Sequence, residues 1–118
     1  MTHERMSDVK RARKHTLIQE YELFRMNPGE TIAKVQKRFT HIVNHLIGLD
    51  KVFDKEELNI KILKRLDRSW QPKVTTISET KDLSTLTTAT LLGKLREHEL
   101  EINLISRSME IESERRSS

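Results

Sequence analysis

A regularly spaced set of apolar residues between positions 32 and 49 constrains the fold more than any other feature. Its members are separated by steps of three and four residues, the spacing that places side chains on one face of an α-helix. We call this set the helix-two seam; it consists of Ile32, Val35, Phe39, Ile42, Leu46 and Leu49. The pattern lasts for fewer than three heptads, so it favours the core of a small bundle over a long coiled coil.

The composition also favours a small all-α fold with a thin core. The chain has 118 residues, of which 34% are charged and 35% hydrophobic; globular domains usually contain about 25% charged residues. A chain of this length suits one domain. No segment alternates apolar and polar residues in the way that a half-buried strand does. We therefore expect an all-α bundle of about five helices.

Four further helices are predicted around the seam, each with its own start or stop signal. The first ends at Asn27-Pro28-Gly29, and the third begins at Asp54, three residues before a glutamate. A short fourth helix begins at Pro72, and a long fifth helix begins after Thr87, while Thr31 caps the second. The predicted core consists of Leu17, Tyr21, Phe24, Ile32, Val35, Phe39, Ile42, Leu46, Leu58, Ile62, Leu66, Trp70 and Leu91.

The pattern divides the chain into three regions. Residues 1–16 are basic and contain few apolar residues, so we expect a poorly ordered, mobile extension. Residues 17–100 contain the predicted helical domain, and residues 101–118 form a charged helical extension and tail. The apolar face of the fifth helix continues into this last region, where it has no obvious partner within the chain. Its residues are therefore predicted to mediate self-association; they are Leu95, Ile102, Ile105 and Met109.

Two clusters of basic residues make RNA a candidate partner of this chain, whose net charge is +4. The first cluster comprises Lys10, Arg11, Arg13 and Lys14, and the second comprises Lys61, Lys64, Arg65 and Arg68. Basic clusters attract the phosphate backbone without regard to base sequence. Solvated helix faces, which need no ligand, are the favoured interpretation of both clusters. The first also fits a nuclear localisation signal, so we expect a cytoplasmic protein with the nucleus as the alternative.

The sequence contains few residues that indicate chemistry. It has no cysteine and only 3 glycines, so thiolate chemistry, cysteine-ligated zinc and glycine-rich phosphate loops are excluded. His41 and His45 have a metal-ligand spacing but no third ligand nearby. Trp70 is expected to pack against the core and not to stack on a base. We expect no enzymatic activity, no cofactor, no metal, no small-molecule substrate and no membrane association.

Seven short stretches between Leu17 and Glu99 carry a resemblance to a known family. In chain order they are QEYELFRMNPGET, RFTHIVNHL, KVFDKEE, KILKRL, SWQPKVTTI, KDLSTL and LLGKLREHE. Their order and spacing resemble those of the Gag polyprotein of plant Ty1/copia-type LTR retrotransposons, in the part called the UBN2 domain. The pair SWQPKVT and KDLSTL is the most specific part of the resemblance.

The resemblance implies a structural role. Gag proteins of this family build the virus-like particle that encloses the RNA of the element, and their central region is similar to retroviral capsid: all-α, self-associating and without catalytic residues. The family usually carries a cysteine–histidine zinc knuckle downstream, which this chain lacks. We therefore expect a fragment, or a decayed or domesticated copy, with marginal stability because part of the helix-two seam is left uncovered. Asp50 stands where the family commonly has glycine, and Asp67 where it usually has proline.

Overall fold

Five α-helices and one short 3-10 helix make up the regular structure. The computed structural model describes the backbone of residues 2–117 and the side chains of residues 8–116. The α-helices are α1 (Thr2–Glu22), α2 (Ile32–Gly48), α3 (Lys55–Arg65), α4 (Gln71–Thr80) and α5 (Thr88–Ser117), and the 3-10 helix is Arg68–Trp70. Residues 2–117 contain no strand. The predicted all-α fold with a long C-terminal helix is confirmed.

Side-chain caps fix the starts of three helices, as the sequence predicts. In each case a side-chain oxygen accepts a hydrogen bond from the backbone N–H three residues further on, which satisfies a donor that has no partner inside the helix. The pairs are Thr31 with Lys34 at 3.3 Å, Asp54 with Glu57 at 2.7 Å, and Thr87 with Thr90 at 3.1 Å. Asp67 caps the 3-10 helix in a similar way, through the N–H of Ser69 at 2.8 Å.

The core surrounds α2, which packs against α1 on one side and α5 on the other. All but three of the predicted core residues are buried, and the exceptions, Tyr21, Leu58 and Leu66, are half-buried at its edge. The expectation that part of the helix-two seam is uncovered is wrong. Every seam residue from Ile32 to Leu46 is buried, and Leu49 is half-buried. The two neighbouring helices therefore complete the core within this chain.

Several residues join the core beyond those predicted for it. Val43 and Leu92 are buried between α2 and α5, and Met26 is buried where its backbone N–H donates to the carbonyl oxygen of Arg65 at 2.9 Å. Leu95 requires a correction. Its side chain is fully buried in the core, so it does not belong to the exposed self-association surface for which it was predicted.

The two outer helices run antiparallel to α2 and project from opposite ends of the molecule. On α1, Tyr21 packs 6.0 Å from Phe39, centroid to centroid, while Lys10 Nζ lies 3.4 Å from Asp50 Oδ2, just beyond the end of α2. On α5, Glu99 reaches the start of α2. We call residues 2–14 the α1 arm and residues 100–117 the α5 tail. With both projections the molecule is 76 Å long and 32 Å wide.

Residues 2–16, predicted to be a poorly ordered extension, form the first part of α1 in the structure. The described side chains of residues 8–16 are exposed, apart from Lys14, which is half-buried. Residues 8–16 therefore bury little apolar surface, and local stability in proteins follows such burial. The mobility of this segment in solution stays a prediction.

Candidate interaction surfaces

The α5 tail exposes the apolar face that the sequence predicts for self-association. Ile102 is 46% exposed, Ile105 59% and Met109 66%. These three residues follow Leu91 and Leu95 along the same face of one continuous helix. The face is therefore buried in the core up to Leu95 and is exposed to solvent further on.

A second apolar face lies on the other side of the α5 tail, and the sequence analysis missed it. It consists of Leu100, Leu104 and Ile111, each more than half exposed. Successive residues of an α-helix are rotated by about 100°, which places these three about half a turn away from Ile102. The signal was available in the four- and seven-residue steps between them. The tail therefore presents apolar side chains in two opposite directions.

Glutamates flank the first apolar face of the tail. Glu101 and Glu112 lie on one side of the line from Ile102 to Met109, and Glu99 and Glu110 lie on the other, by the rotation of the helix. The Glu101 carboxylate is 4.0 Å from His98, and the Glu112 carboxylate is 3.5 Å from Arg116. The Glu112–Arg116 pair is exposed, and exposed pairs contribute only about 0.2–1 kcal/mol. The face is therefore apolar along its centre and acidic along both edges.

The first basic cluster lies on the α1 arm, where its four cations differ in their surroundings. Lys10 pairs with Asp50, and Lys14 is half-buried. Arg11 and Arg13 are exposed. Lys10 is exposed as well, although it is paired, so three of the four cations of the cluster lie at the surface.

The second basic cluster lies at the end of α3, near the opposite end of α1. Lys61 Nζ donates to the carbonyl oxygen of Glu22 at 3.0 Å and lies 5.0 Å from the Tyr21 ring centroid. Burial lowers the pKa of Lys61, and the nearby Arg65 lowers it further, against a smaller opposing effect of Glu22. Lys61 therefore joins α3 to α1. The other predicted members, Lys64, Arg65 and Arg68, are exposed.

The two basic clusters do not form one continuous surface. Lys61 contacts the last turn of α1 at Glu22, whereas Lys14 lies eight residues earlier on the same helix. Eight residues of α-helix span about 12 Å. A nucleic acid that contacts both clusters must therefore extend along α1.

An open groove of about 670 Å³ lies between the end of α1, with the loop that follows it, and the middle of α2. It is lined by Leu23, Phe24, Arg25, Lys37 and His41 among others. Its charged lining residues are mostly cationic, with Glu20 as the acidic one, and Leu23, which is 79% exposed, contributes apolar surface.

One ion pair holds the loop beside this groove. The Arg38 guanidinium donates to Glu30 at 2.6 Å and 2.7 Å and to the carbonyl oxygen of Arg25 at 2.8 Å, and it lies 4.6 Å from the centroid of the Phe24 ring. The hydrogen bond from Arg38 is the main cause that holds the pKa of the Glu30 carboxyl below its ordinary value. Arg38 therefore fixes the loop that connects α1 to α2.

His41 and His45 are exposed on α2, whereas Trp70 is buried in the core. The rings of His41 and His45 lie 4.1 Å apart, and His45 Nδ1 is 2.8 Å from the carbonyl oxygen of His41. In the part of the chain that the structure describes, no group of three or more His, Asp or Glu residues is arranged to hold a metal ion. Trp70 is 8% exposed and its ring packs 5.6 Å from that of His98, as expected of a core anchor.

Taken together, the fold and these surfaces define a small all-helical domain whose distinctive groups lie on exposed helix faces. None of the helices described between residues 2 and 117 has the length and apolarity that a membrane span requires. The chain matches the family model described as gag-polypeptide of LTR copia-type over residues 3–108. The protein therefore belongs to the copia-type Gag family, and its role is of the structural Gag type. No curated protein and no solved structure matches the chain.

Proposed function

We propose that this protein is a self-associating structural domain of a retrotransposon Gag polyprotein, which assembles with copies of itself into a virus-like particle. The observation that carries the proposal is the exposed apolar face of the α5 tail. Ile102, Ile105 and Met109 continue the line of the core residues Leu91 and Leu95 into solvent. Membership of the Gag family supports an assembly role for this surface.

The energetics favour covering this face. Apolar surface left in water costs about 25 cal/mol for each Å², and contiguous exposed apolar patches often mark interaction sites. The helical tail presents its apolar side chains in a fixed order, which suits packing against a second helix. A second copy of the chain supplies such a helix.

Light scattering after size exclusion tests self-association over a wide range of protein concentrations. We expect the average mass to rise with concentration, and a strictly monomeric protein throughout would contradict the proposal. The double variant Ile102→Ser with Ile105→Ser should shift association to at least about tenfold higher concentration, because each 1.4 kcal/mol of lost contact is a factor of ten. Val52→Ser is the matched control, since Val52 is 85% exposed outside the tail.

Sequence-nonspecific RNA binding is the second candidate function. It is favoured by the exposure of Arg11 and Arg13 on the α1 arm and of Lys64, Arg65 and Arg68 at the end of α3. The structure weakens the case for Lys10 and Lys61, because both already have partners within the chain.

The salt dependence of RNA affinity tests this candidate. Each phosphate contact on a single strand contributes about 0.7 to the slope of log affinity against log salt concentration. Arg11→Ala with Arg13→Ala should therefore lower the slope by about 1.4. Lys55→Ala, an exposed lysine outside both clusters, is the control. An unchanged affinity and slope in the arginine variant would count against a role for the arm.

A further inference from the structure

We propose that the α5 tail of one chain binds the α1 arm of a second copy, so that the chains associate head to tail. This inference rests on the proposed self-association and names the surface that receives the tail. It depends on where the two segments project, on the sign of their charges and on their exposed apolar residues.

The arm and the tail of one chain cannot meet, because they project from opposite ends of α2. The arm passes the end of α2 where Lys10 contacts Asp50, and the tail leaves the start of α2 where Glu99 contacts Ile32. The 17 residues of α2 lie between these points, a length of about 25 Å at 1.5 Å per residue. Any contact between an arm and a tail must therefore join two copies.

The charges of the two segments are complementary. The described part of the arm contains Lys10, Arg11, Arg13 and Lys14 against one acidic residue, Asp8. The tail carries Glu101, Glu110 and Glu112 along the edges of its apolar face, and its cations are Arg107, on the opposite side of the helix, and Arg115 and Arg116 in the last turn. Two tails packed face to face would place glutamates against glutamates, and like charges brought together at an interface oppose binding. The arm offers the opposite charge at the other end of the molecule.

The arm also offers a surface on which the apolar face of the tail can pack. Val9 is 62% exposed, and Ala12, three residues further on, is exposed on the same side of the helix. Residues three apart on a helix are neighbours. Arg13, one turn after Val9, places a cation beside this surface, where it can pair with a glutamate on the tail of the second copy. Because Val9 and Ala12 are small, the backbone of a second helix can approach closely.

A contact between two different surfaces has consequences for assembly. It leaves a free arm at one end of each pair and a free tail at the other, so further copies add until a ring closes or a filament grows. Tail-to-tail pairing through the same residues stops at a dimer. The second apolar face, Leu100, Leu104 and Ile111, lies on the other side of the tail from this contact.

Charge reversal with mixing tests the proposal on the whole chain. The arm variant is Arg11→Glu with Arg13→Glu, and the tail variant is Glu101→Lys with Glu110→Lys; all four positions are exposed on helices. Sedimentation velocity should show that each variant alone needs at least about tenfold higher concentration to associate than the wild type. An equimolar mixture should associate like the wild type, because each tail then meets an arm of opposite charge.

The control is Lys55→Glu with Lys81→Glu, which changes the net charge as much as the arm variant does, at exposed positions outside the arm. It should associate like the wild type. Circular dichroism checks that every variant keeps its helices.

Raising the salt concentration from about 50 mM to about 500 mM should weaken head-to-tail association, since the Debye length falls severalfold, whereas it should strengthen pairing between acidic tails.

The outcomes separate this inference from the proposed function. If the wild type associates and the arm variant associates equally well, the tail does not bind the arm and the inference fails alone. The inference also fails if each variant alone associates only at higher concentration than the wild type and their equimolar mixture does so too. A wild type that stays monomeric at every concentration overturns the proposed function, and the inference with it. If RNA binds the arm as well, added RNA should dissociate the wild-type assembly.

Discussion

The Glu99 carboxylate on α5 accepts a hydrogen bond from the backbone N–H of Ile32, the first residue of α2, with 3.0 Å between Oε2 and N. The two residues are 67 positions apart in the sequence. A carboxylate at a helix N-terminus satisfies a free donor and also interacts favourably with the helix dipole. This bond therefore joins the base of the α5 tail to the central helix.

Removing this carboxylate should destabilise the domain. Glu99→Ala is expected to lower the free energy of unfolding by about 1–2 kcal/mol, as the loss of a helix cap does. Glu99→Gln, which keeps an acceptor but not the charge, should cost less. Urea denaturation provides the measurement, with Glu97→Ala at an exposed position of the same helix as the control. Equal losses for Glu97→Ala and Glu99→Ala would show that the bond contributes no stability.

Asn59 is the buried polar residue that links α3 to the loop before α5. It is fully buried, and its Nδ2 donates to the carbonyl oxygens of Leu83 at 2.9 Å and Leu86 at 2.6 Å. Asn59→Ala leaves two carbonyl groups without their donor, so we expect a loss of about 2–3 kcal/mol in unfolding free energy. Asn59→Asp should cost more, because a carboxylate cannot donate and faces the same carbonyl groups.

The matched control for Asn59 is Asn44→Ala, since Asn44 is exposed on α2. Substitutions at exposed positions usually change stability by less than about 0.5 kcal/mol. Thermal and urea unfolding measure all three variants. If Asn59→Asp proves as stable as the wild type, the two hydrogen bonds from Nδ2 are not what holds this loop.

Phe39 lies at the centre of the core and is 1% exposed. Its ring contacts those of Phe24, at 5.1 Å, and Tyr21, at 6.0 Å between centroids. Phe39→Ala should cost about 3–5 kcal/mol, which approaches the whole stability of a small domain. Circular dichroism should then show lost helicity or a much lower melting temperature. Phe53→Ala is the control, because this half-buried ring packs on Tyr21 and its loss should cost less. A cooperative melt of Phe39→Ala near that of the wild type would show that Phe39 is not central to the core.

The Glu30–Arg38 pair should make stability depend on pH. Because the pKa of Glu30 is lowered in the folded state from its ordinary value of 4.5, the pair stabilises the fold above that value and stops doing so as the pH falls through the folded pKa. Glu30→Gln should therefore cost about 1–2 kcal/mol at neutral pH and progressively less in acid.

Urea denaturation between pH 7 and about pH 3 checks this, with the difference between wild type and Glu30→Gln plotted against pH. Arg38→Gln and the double variant complete a cycle that isolates the pair. A difference that stays constant across this range would mean that Glu30 acts through shape and not through its charge.

The helices were predictable because their signals are local. The seam of α2, the caps Thr31, Asp54 and Thr87, and the breaker after α1 each depend on residues within a few positions of one another. The contacts that join helices could not be read from such signals. The bond between Glu99 and Ile32 and the burial of Leu95 depend on how far α5 overlaps α2, which the spacing of apolar residues along α5 does not reveal.

The exposed surfaces were harder to predict than the core. The second face of the α5 tail was not predicted, because its residues lie about half a turn away from the apolar line that continues the core face of the helix. The sequence does not distinguish the cations within each basic cluster, whereas the fold gives Lys10 and Lys61 partners and leaves the arginines exposed. The backbone at Asp50, by contrast, fits the sequence pattern of the family. Its φ is 71°, a conformation that glycine adopts freely, and glycine is common there in the family.

The α5 helix has one uninterrupted backbone from Leu91 in the core to the end of the tail. A second copy that binds the tail binds only chains in which this helix has formed. Binding therefore shifts the folding equilibrium towards the folded state. Stability then increases by about 2.7 kcal/mol when the partner concentration is 100 times the dissociation constant. The melting temperature should accordingly rise with protein concentration, and the assembled chains should be more heat-resistant than isolated ones.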